Sequence, residues 1–148
     1  MQAKDIMSTN VITVKGDTTI KEIAEKLIEE KISGVPVVDE EENLIGIVTE
    51  GDLLHKEANP RTPRYFGILG AVIYFGGMEQ YKEDFKKLAA LKASEIMTTK
   101  VVTAAKETEV SDLANLMIKH NIKRIPITEN DKIIGMVSRA DIIKTFKM

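Results

Sequence analysis

GIVTEGD occupies residues 46–52, and GMVSRAD occupies residues 135–141. Each spells a glycine, a short apolar run, a hydroxyl residue, two variable residues and an aspartate. An internal repeat decides the architecture before any single element does, so the match is extended outward first. AKDIMSTNVITVKGDTTIKEIAEKLIEEKISGVPVVD, from residue 3, aligns with ASEIMTTKVVTAAKETEVSDLANLMIKHNIKRIPITE, from residue 93. Ile6-Met7 falls on Ile96-Met97 at an offset of 96 − 6 = 90. The same offset pairs Val11 with Val101, Thr13 with Thr103, Ala24 with Ala114, Ile32 with Ile122 and Pro36 with Pro126. One residue drops out of the acidic turn, and Gly46 then pairs with Gly135 at 135 − 46 = 89.

Each copy reads as strand, helix, strand, strand, helix, which predicts an α/β (α+β) fold of two pseudo-symmetric repeats packed through their sheets. VITV (11–14) and VVTA (101–104) are β-branched runs that predict first strands. Ile20, Ile23, Ala24, Leu27 and Ile28 keep the spacing of one apolar helical face, and Val110, Leu113, Ala114, Met117 and Ile118 repeat it. Thr18 and Thr108 are the expected N-cap hydroxyls. VPVVD and IPITE predict strands that start near their prolines, since a proline suits a strand start better than its centre. LIGIVT and IIGMVS predict third strands, and a second helix begins at each T/S-x-x-D. A single copy of about 53 residues is marginal alone, so the pair is the expected folding unit. The expected divisions are repeat one at 1–56, an insert at 57–91 and repeat two at 92–148.

The insert opens with EANPRTPRYF, continues with the apolar FGILGAVIYFGG (66–77), and then predicts a helix with Tyr81, Phe85, Leu88 and Ala89 on one face. It reads as packing for the paired core or a dimer seam, with a lid or docking surface as the other reading.

Composition narrows the functions. Lys and Arg number 21 against 23 Asp and Glu, interspersed, so no basic footprint for nucleic acid stands out. The absence of cysteine excludes disulfides, thiolate metal sites and cysteine nucleophiles, and is compatible with a reducing cytoplasm. His55 and His120 sit at non-matching positions, which predicts no histidine metal site. The polar opening MQAKDIMSTN predicts no secretory leader, and residues 66–77 are too few to span a bilayer, which takes about 20. With no recurring histidine–carboxylate constellation and no phosphate-gripping lysine loop, the chain is not expected to be an enzyme.

A hydroxyl residue followed three positions later by an acid is close to a capping box. Seen once, Thr49/Asp52 or Ser138/Asp141 is a helix cap. Seen twice, after strands that share Gly46 and Gly135, at the point where the chain leaves a sheet, the motif also suits a nucleoside. A carboxylate accepts from both ribose hydroxyls, each bond worth roughly 1.5–3 kcal/mol. The free N–H groups and dipole of a helix start favour a phosphate. Val11, Val14, Val35 and Val37, with Val101, Ile125 and Ile127, offer an apolar slot for a base.

The doubled order I-M, V-x-T, S-G-V-P-V-V-D, G-h-V-T-x-x-D resembles the cystathionine-β-synthase (CBS) domain, and two copies resemble a CBS pair, or Bateman module. The resemblance covers all but the insert. It implies a pseudo-twofold unit with two clefts between the copies that bind adenosine derivatives such as AMP, ADP, ATP or S-adenosylmethionine, and further association into a homodimer. The ribose motif maps onto Thr49/Asp52 and Ser138/Asp141. The base-contacting segments map onto Ser33, Gly34, Val35 and Pro36 and onto Lys123, Arg124, Ile125 and Pro126, and the first-strand threonines onto Thr13 and Thr103. It implies no obligatory cofactor. The adenosine nucleotide would be a regulatory ligand, sensed on behalf of a regulated protein partner not named by the sequence. The alternative is a structural homodimer whose clefts have lost their ligand. Arg139, Lys123 and Arg124 stand where the first copy has Glu50, Ser33 and Gly34. A phosphorylated adenosine is therefore expected at Ser138/Asp141. A less anionic one, or none, is expected at Thr49/Asp52, unless His55, Arg61 or Arg64 supplies charge there.

Overall fold

The computed structural model describes residues 1–54 and 86–148. In chain order the elements are α1 (Ala3–Ile6), β1 (Val14–Lys15), α2 (Ile20–Glu29), β2 (Gly34–Val38), β3 (Leu44–Thr49), α3 (Glu50–Leu54), α4 (Ala93–Ile96), α5 (Val110–His120), β4 (Arg124–Glu129), β5 (Lys132–Ser138) and α6 (Arg139–Lys144), ending on a 3-10 turn at Thr145–Lys147. Residues 86–89 add a helical turn with Leu88 buried. The mixture of helix and strand is the expected α+β class. The predicted FGILGAVIYFGG segment and the positions Tyr81, Phe85, His55, Arg61 and Arg64 lie outside the described residues.

The chain forms two compact units. The Asp52 unit holds Thr13–Asp39 and Ile45–Thr99, and the Asp141 unit holds Met1–Ile12, Glu40–Leu44 and Lys100–Met148. Each unit thus combines the body of one repeat with the leading segment of the other. The exchange follows from backbone accounting at helix starts, where N–H groups lack intrahelical acceptors. In the Asp141 unit, Ala3 N–H donates to the Thr108 carbonyl at 2.8 Å, Lys4 N–H to Lys106 at 3.0 Å and Val110 N–H to Met1 at 2.9 Å. In the Asp52 unit the equivalent donors repeat the pattern: Ala93 to Thr18 at 2.8 Å, Ser94 to Gly16 at 2.9 Å and Ile20 to Leu91 at 2.8 Å. The short helices α1 and α4 that make these contacts are absent from the sequence reading. Their signal is an acid at the third helical position that accepts from the N-cap N–H, Asp5 from Gln2 at 2.8 Å and Glu95 from Lys92 at 3.2 Å.

The Asp52 unit carries a sheet in the order β1-β2-β3, with β1 parallel to β2. The Asp141 unit carries the antiparallel hairpin β4-β5, closed by Asn130 and Asp131 at φ 53° and 66°. Positive φ at both turn residues matches the twist of a two-residue hairpin, and Asn and Asp tolerate it best after glycine. Its core joins Ala3, Leu113, Met117, Ile125, Ile127 and Val137. The Asp52 unit buries the matching Ala93, Ile23, Leu27, Val35, Val37 and Val48.

The shared glycines have a packing cause. A Cβ on Gly46 would lie 2.5 Å from Met97 Sδ, and one on Gly135 would lie 2.5 Å from Met7 Sδ. The repeated I-M dipeptide therefore seats its methionine in a notch that only glycine leaves.

Four expectations need correction. The first strands shrink to Val14–Lys15 in one unit and to a single bridge, Ala104 with Ile127, in the other. Residues 11–13 and 101–103, which the expectation included, lie outside any strand. The prolines lie inside β2 and β4 instead of at their starts. Pro126 faces Met136 in register, but the Met136 backbone exchanges its bonds with Ser8 at 2.9 Å each way, so no donor is missed there. The α2 cap is Thr19, whose hydroxyl accepts from Glu22 N–H while the Glu22 carboxylate accepts from Thr19 N–H. Thr18 and Thr108 instead close the preceding turns, accepting from Lys15 and Ala105 N–H. Finally, Ile28 and Ile118 end the predicted apolar faces yet are 77% and 79% exposed.

Candidate functional site

Each T/S-x-x-D folds into the same closed box. In the Asp52 unit, Asp52 Oδ2 accepts from Thr49 N–H at 2.8 Å and from the Thr49 hydroxyl at 3.1 Å, and Thr49 Oγ1 faces Asp52 N–H at 3.3 Å. In the Asp141 unit, Asp141 Oδ2 accepts from Ser138 N–H at 2.8 Å and from its hydroxyl at 3.0 Å, and Asp141 N–H returns to Ser138 Oγ at 3.2 Å. The first helical N–H is also spent: Glu50 donates to the Ser33 carbonyl and Arg139 to the Lys123 carbonyl, both at 2.9 Å. Of the four N–H groups at each helix start, the box and this staple consume three. Gly51 and Ala140 N–H are what remain, which revises the expectation of a freely donating helix end for phosphate.

These same bonds bring the sequence-predicted residues together, one set per unit. Ser33, Gly34, Val35 and Pro36 enter β2, joined to α3 through the Ser33 carbonyl. Lys123, Arg124, Ile125 and Pro126 enter β4, with Arg124 in register with Ser138. Gly34, Val35, Pro36, Ile125 and Pro126 are buried strand residues, as are Val14, Val37 and Ile127, so they form the floor under each box and present no open slot themselves. Thr13 is half-buried just before β1 and Thr103 is exposed just before the Ala104 bridge.

The boxes differ in their second carboxylate oxygen. Asp52 is 5% exposed, and its Oδ1 accepts from the Thr98 hydroxyl at 3.4 Å. Asp141 is half-buried, and among the described residues no donor reaches its Oδ1. Thr98 was missed in the sequence reading, although the repeat marks it. It is the partner of Ser8 at the 90-residue offset, and both pair through their backbones with the third strand, Thr98 with Ile47 and Ser8 with Met136. Charge differs too. Arg139 is exposed and its Nε donates to the Ile122 carbonyl at 3.2 Å, which holds the guanidinium at the start of β4 beside Lys123 and Arg124. The Asp52 unit has the exposed Glu50 in that place.

Both carboxylate oxygens of Asp52 thus accept protein hydrogen bonds, whereas Asp141 is held through Oδ2 alone among the described residues. Among the described residues no group of histidines and carboxylates could hold a metal ion, and no helix is long and apolar enough to cross a membrane.

The family model for the CBS domain matches residues 3–59 and 93–147. An uncharacterised protein of Methanocaldococcus jannaschii is 30% identical over 152 residues, covering 97% of this chain and 90% of its own. The crystal structure of the CBS domain of a CBS-domain-containing membrane protein from Sphaerobacter thermophilus superposes with a TM-score of 0.73 at 34% identity, over 97% of this chain and 86% of that one. The CBS domain pair of protein MJ0100, solved in complex with 5′-methylthioadenosine and S-adenosyl-L-methionine, superposes with a TM-score of 0.72 at 27% identity, over 99% of this chain and 96% of that one.

Proposed function

The chain belongs to the CBS-domain family, and from that premise we propose that it is a regulatory protein that binds an adenosine-containing ligand, with the Ser138/Asp141 box as its principal site. The observation that carries the reading is Asp141 Oδ1, which no donor among the described residues reaches, beside a carboxylate already oriented by Ser138. A ribose diol bonds to that oxygen without displacing a protein group. Arg139, Lys123 and Arg124 beside the box support a phosphorylated or otherwise anionic ligand. The MJ0100 domain pair, solved with 5′-methylthioadenosine and S-adenosyl-L-methionine, supports the adenosine class. Ligand binding would stabilise the arrangement that holds it and pass that bias to a regulated partner in the cytoplasm. The apolar face around Ile118 and Ile143, 79% and 63% exposed, supports a homodimer.

A second reading is favoured for the other unit. Asp52 is buried and both of its oxygens already accept protein hydrogen bonds, which suits a structural cap that has no ligand. Thermal shift with millimolar AMP, ATP and S-adenosylmethionine tests both. The expected result is a raised melting temperature for at least one ligand, lost in Asp141→Asn and kept in Asp52→Asn. No shift with any adenosine compound would remove the sensor reading and leave the structural dimer.

A further inference from the structure

A chain with no cysteine carries all of its sulfur as thioether, in seven methionines. Thioethers are then what a two-electron oxidant meets, with no thiolate to compete. Met117 is 3% exposed, while Met1 and Met148 are 53% and 84% exposed. Met7, Met97 and Met136 are half-buried, and Met78 lies outside the described residues. Met7 and Met97 occupy the same place in the two repeats. Each directly precedes the residue that bridges to the third strand of its unit, Ser8 to Met136 and Thr98 to Ile47.

Their seats are closed on the strand side. A carbon added to Gly46 would lie 2.5 Å from Met97 Sδ and 2.8 Å from its Cγ, and one on Gly135 would lie 2.5 Å and 2.9 Å from the same atoms of Met7. An oxygen added to either sulfur toward the strand therefore meets glycine backbone. Added elsewhere, it turns a flexible apolar side chain that fills an irregular gap into a polar, chiral one. Beyond α4, the segment is tied to the Asp52 unit by few bonds. Thr98 and Ile47 exchange backbone hydrogen bonds at 2.9 and 3.0 Å, and the Thr98 hydroxyl donates to Asp52 Oδ1 at 3.4 Å. In the Asp141 unit, Ser8 and Met136 make the matching exchange at 2.9 Å each way.

We propose that Met97 is an oxidation site, and that its sulfoxide releases Thr98 from β3 and withdraws the Thr98 hydroxyl from the Asp52 box. Hydrogen peroxide is the oxidant. The sulfur lone pair attacks one peroxide oxygen, the S–O bond forms as the O–O bond breaks, and the second oxygen takes up the proton and leaves as water. Sulfur is oxidised by two electrons and the peroxide is reduced by two. Methionine sulfoxide reductase reverses the change. Met7 is the counterpart in the other unit, where oxidation loosens Ser8 from Met136. The consequence for a box is thus specific to Met97, because Thr98 bonds to the carboxylate of its unit.

Peroxide titration of the full chain, read by peptide mass spectrometry and amide hydrogen exchange, tests it. Exposed Met148 is the reference for oxidant dose, and Met117 is expected to stay reduced. Met97 is expected to convert to the sulfoxide, with exchange at Ile47 and Thr98 faster by about tenfold or more. Exchange at Thr128, which donates to Ala104 in the other unit, is expected to hold. Reductase treatment is expected to return the slow exchange. Met97→Leu is expected to keep it under the same dose, and Met97→Gln, polar and unbranched, to exchange fast without oxidant. Met97 still reduced at doses that convert Met148 fully overturns the proposal, as does sulfoxide at Met97 with exchange at Ile47 and Thr98 unchanged. Equal acceleration at Thr128 also overturns it, since the chain would then be unfolding as a whole. Acceleration in Met97→Leu equal to that of the wild type would assign the effect to another methionine and overturn it too. Should Met97→Leu fail to fold, the wild type, oxidised against reduced, decides. The readout contains no nucleotide, so it stands apart from the adenosine reading.

Discussion

The Asp52 and Asp141 units share a backbone plan and differ in how tightly they close it. Both wrap a carboxylate with the N–H and hydroxyl of the residue three positions earlier, at distances that agree within about 0.1 Å. Both staple the first helical N–H to the segment ahead of the second strand at 2.9 Å. Yet Asp52 is sealed, with Leu53 beside it only 6% exposed, while Asp141 and Ile142 are half-buried. One added hydroxyl, Thr98, separates a box in which both carboxylate oxygens are used from one that retains an acceptor. The difference teaches that the motif's spacing specifies a helix cap, and that its surroundings decide whether the cap also has an acceptor to offer.

The sharpest way to break that comparison is to remove each carboxylate. Asp52→Ala leaves Thr49 N–H and two hydroxyls without their acceptor in a buried site. Each unsatisfied buried group costs about 1–3 kcal/mol, so a loss of about 3 kcal/mol is expected. Asp141→Ala removes a half-exposed cap whose partners can turn to water, and about 1 kcal/mol is expected. Urea denaturation measures both. Equal losses would mean that the two boxes are closed to the same degree.

The glycines test the part of the comparison expected to be symmetric. Gly46→Ala and Gly135→Ala each push a Cβ to within 2.5 Å of a methionine sulfur, with the Met Cβ and Cγ also close. Overpacking of this kind costs about 1–3 kcal/mol, and the two variants are expected to lose the same amount. The double variants, Met97→Ala with Gly46→Ala or Met7→Ala with Gly135→Ala, are each expected to lose less stability than the sum of the two separate losses, because contacting sites couple.

A smaller asymmetry lies at the long helices. The α2 start is capped reciprocally by Thr19 and Glu22, whereas the α5 start has Glu109 at its N-cap with no side-chain bond to the helix. Thr19→Ala is expected to cost about 1 kcal/mol. Glu109→Ser is expected to gain a few tenths, since it installs the hydroxyl that the other repeat already has.

How much of this was legible beforehand depends on the range of each interaction. The repeat, β3, β5 and the helix starts at Glu50 and Arg139 were readable because the recurring glycine, apolar run and three-residue capping motif lie in one contiguous stretch of each copy. The α1 and α4 helices were not, since each has only 4 residues and is held by carbonyls far along the chain, 108 − 3 = 105 positions for Ala3 to Thr108 and 93 − 18 = 75 for Ala93 to Thr18. The apolar periodicity of α2 and α5 located the helices but overextended their buried faces to Ile28 and Ile118. Periodicity reports which residues share a face and says nothing about where the opposing layer ends. At the site, motif order named Ser33, Glu50, Lys123 and Arg139 but not the backbone bonds that join Glu50 to Ser33 and Arg139 to Lys123. Nor did it give the role of Thr98, because that contact spans 46 positions.

Thr98 therefore gives the most specific expected effect. Thr98→Val keeps the shape and removes the donor to Asp52 Oδ1. At 3.4 Å the bond is long, so the cost is set less by its own strength than by leaving a carboxylate oxygen in a site that is 5% exposed with one donor fewer. About 0.5–1.5 kcal/mol is expected from that balance. Ser8→Ala, at the matching position, removes a hydroxyl that is exposed and makes no hydrogen bond to Asp141, and is expected to fall within about 0.5 kcal/mol of zero. The two substitutions also act oppositely on the ligand question. Freeing Asp52 Oδ1 in Thr98→Val makes the first box resemble the second, so any adenosine binding gained by that variant, measured by calorimetry in an Asp141→Asn background, would identify the Thr98 hydroxyl as what withholds the Asp52 box from a ribose. Unchanged binding in that background would assign the withholding to the burial of Asp52 itself.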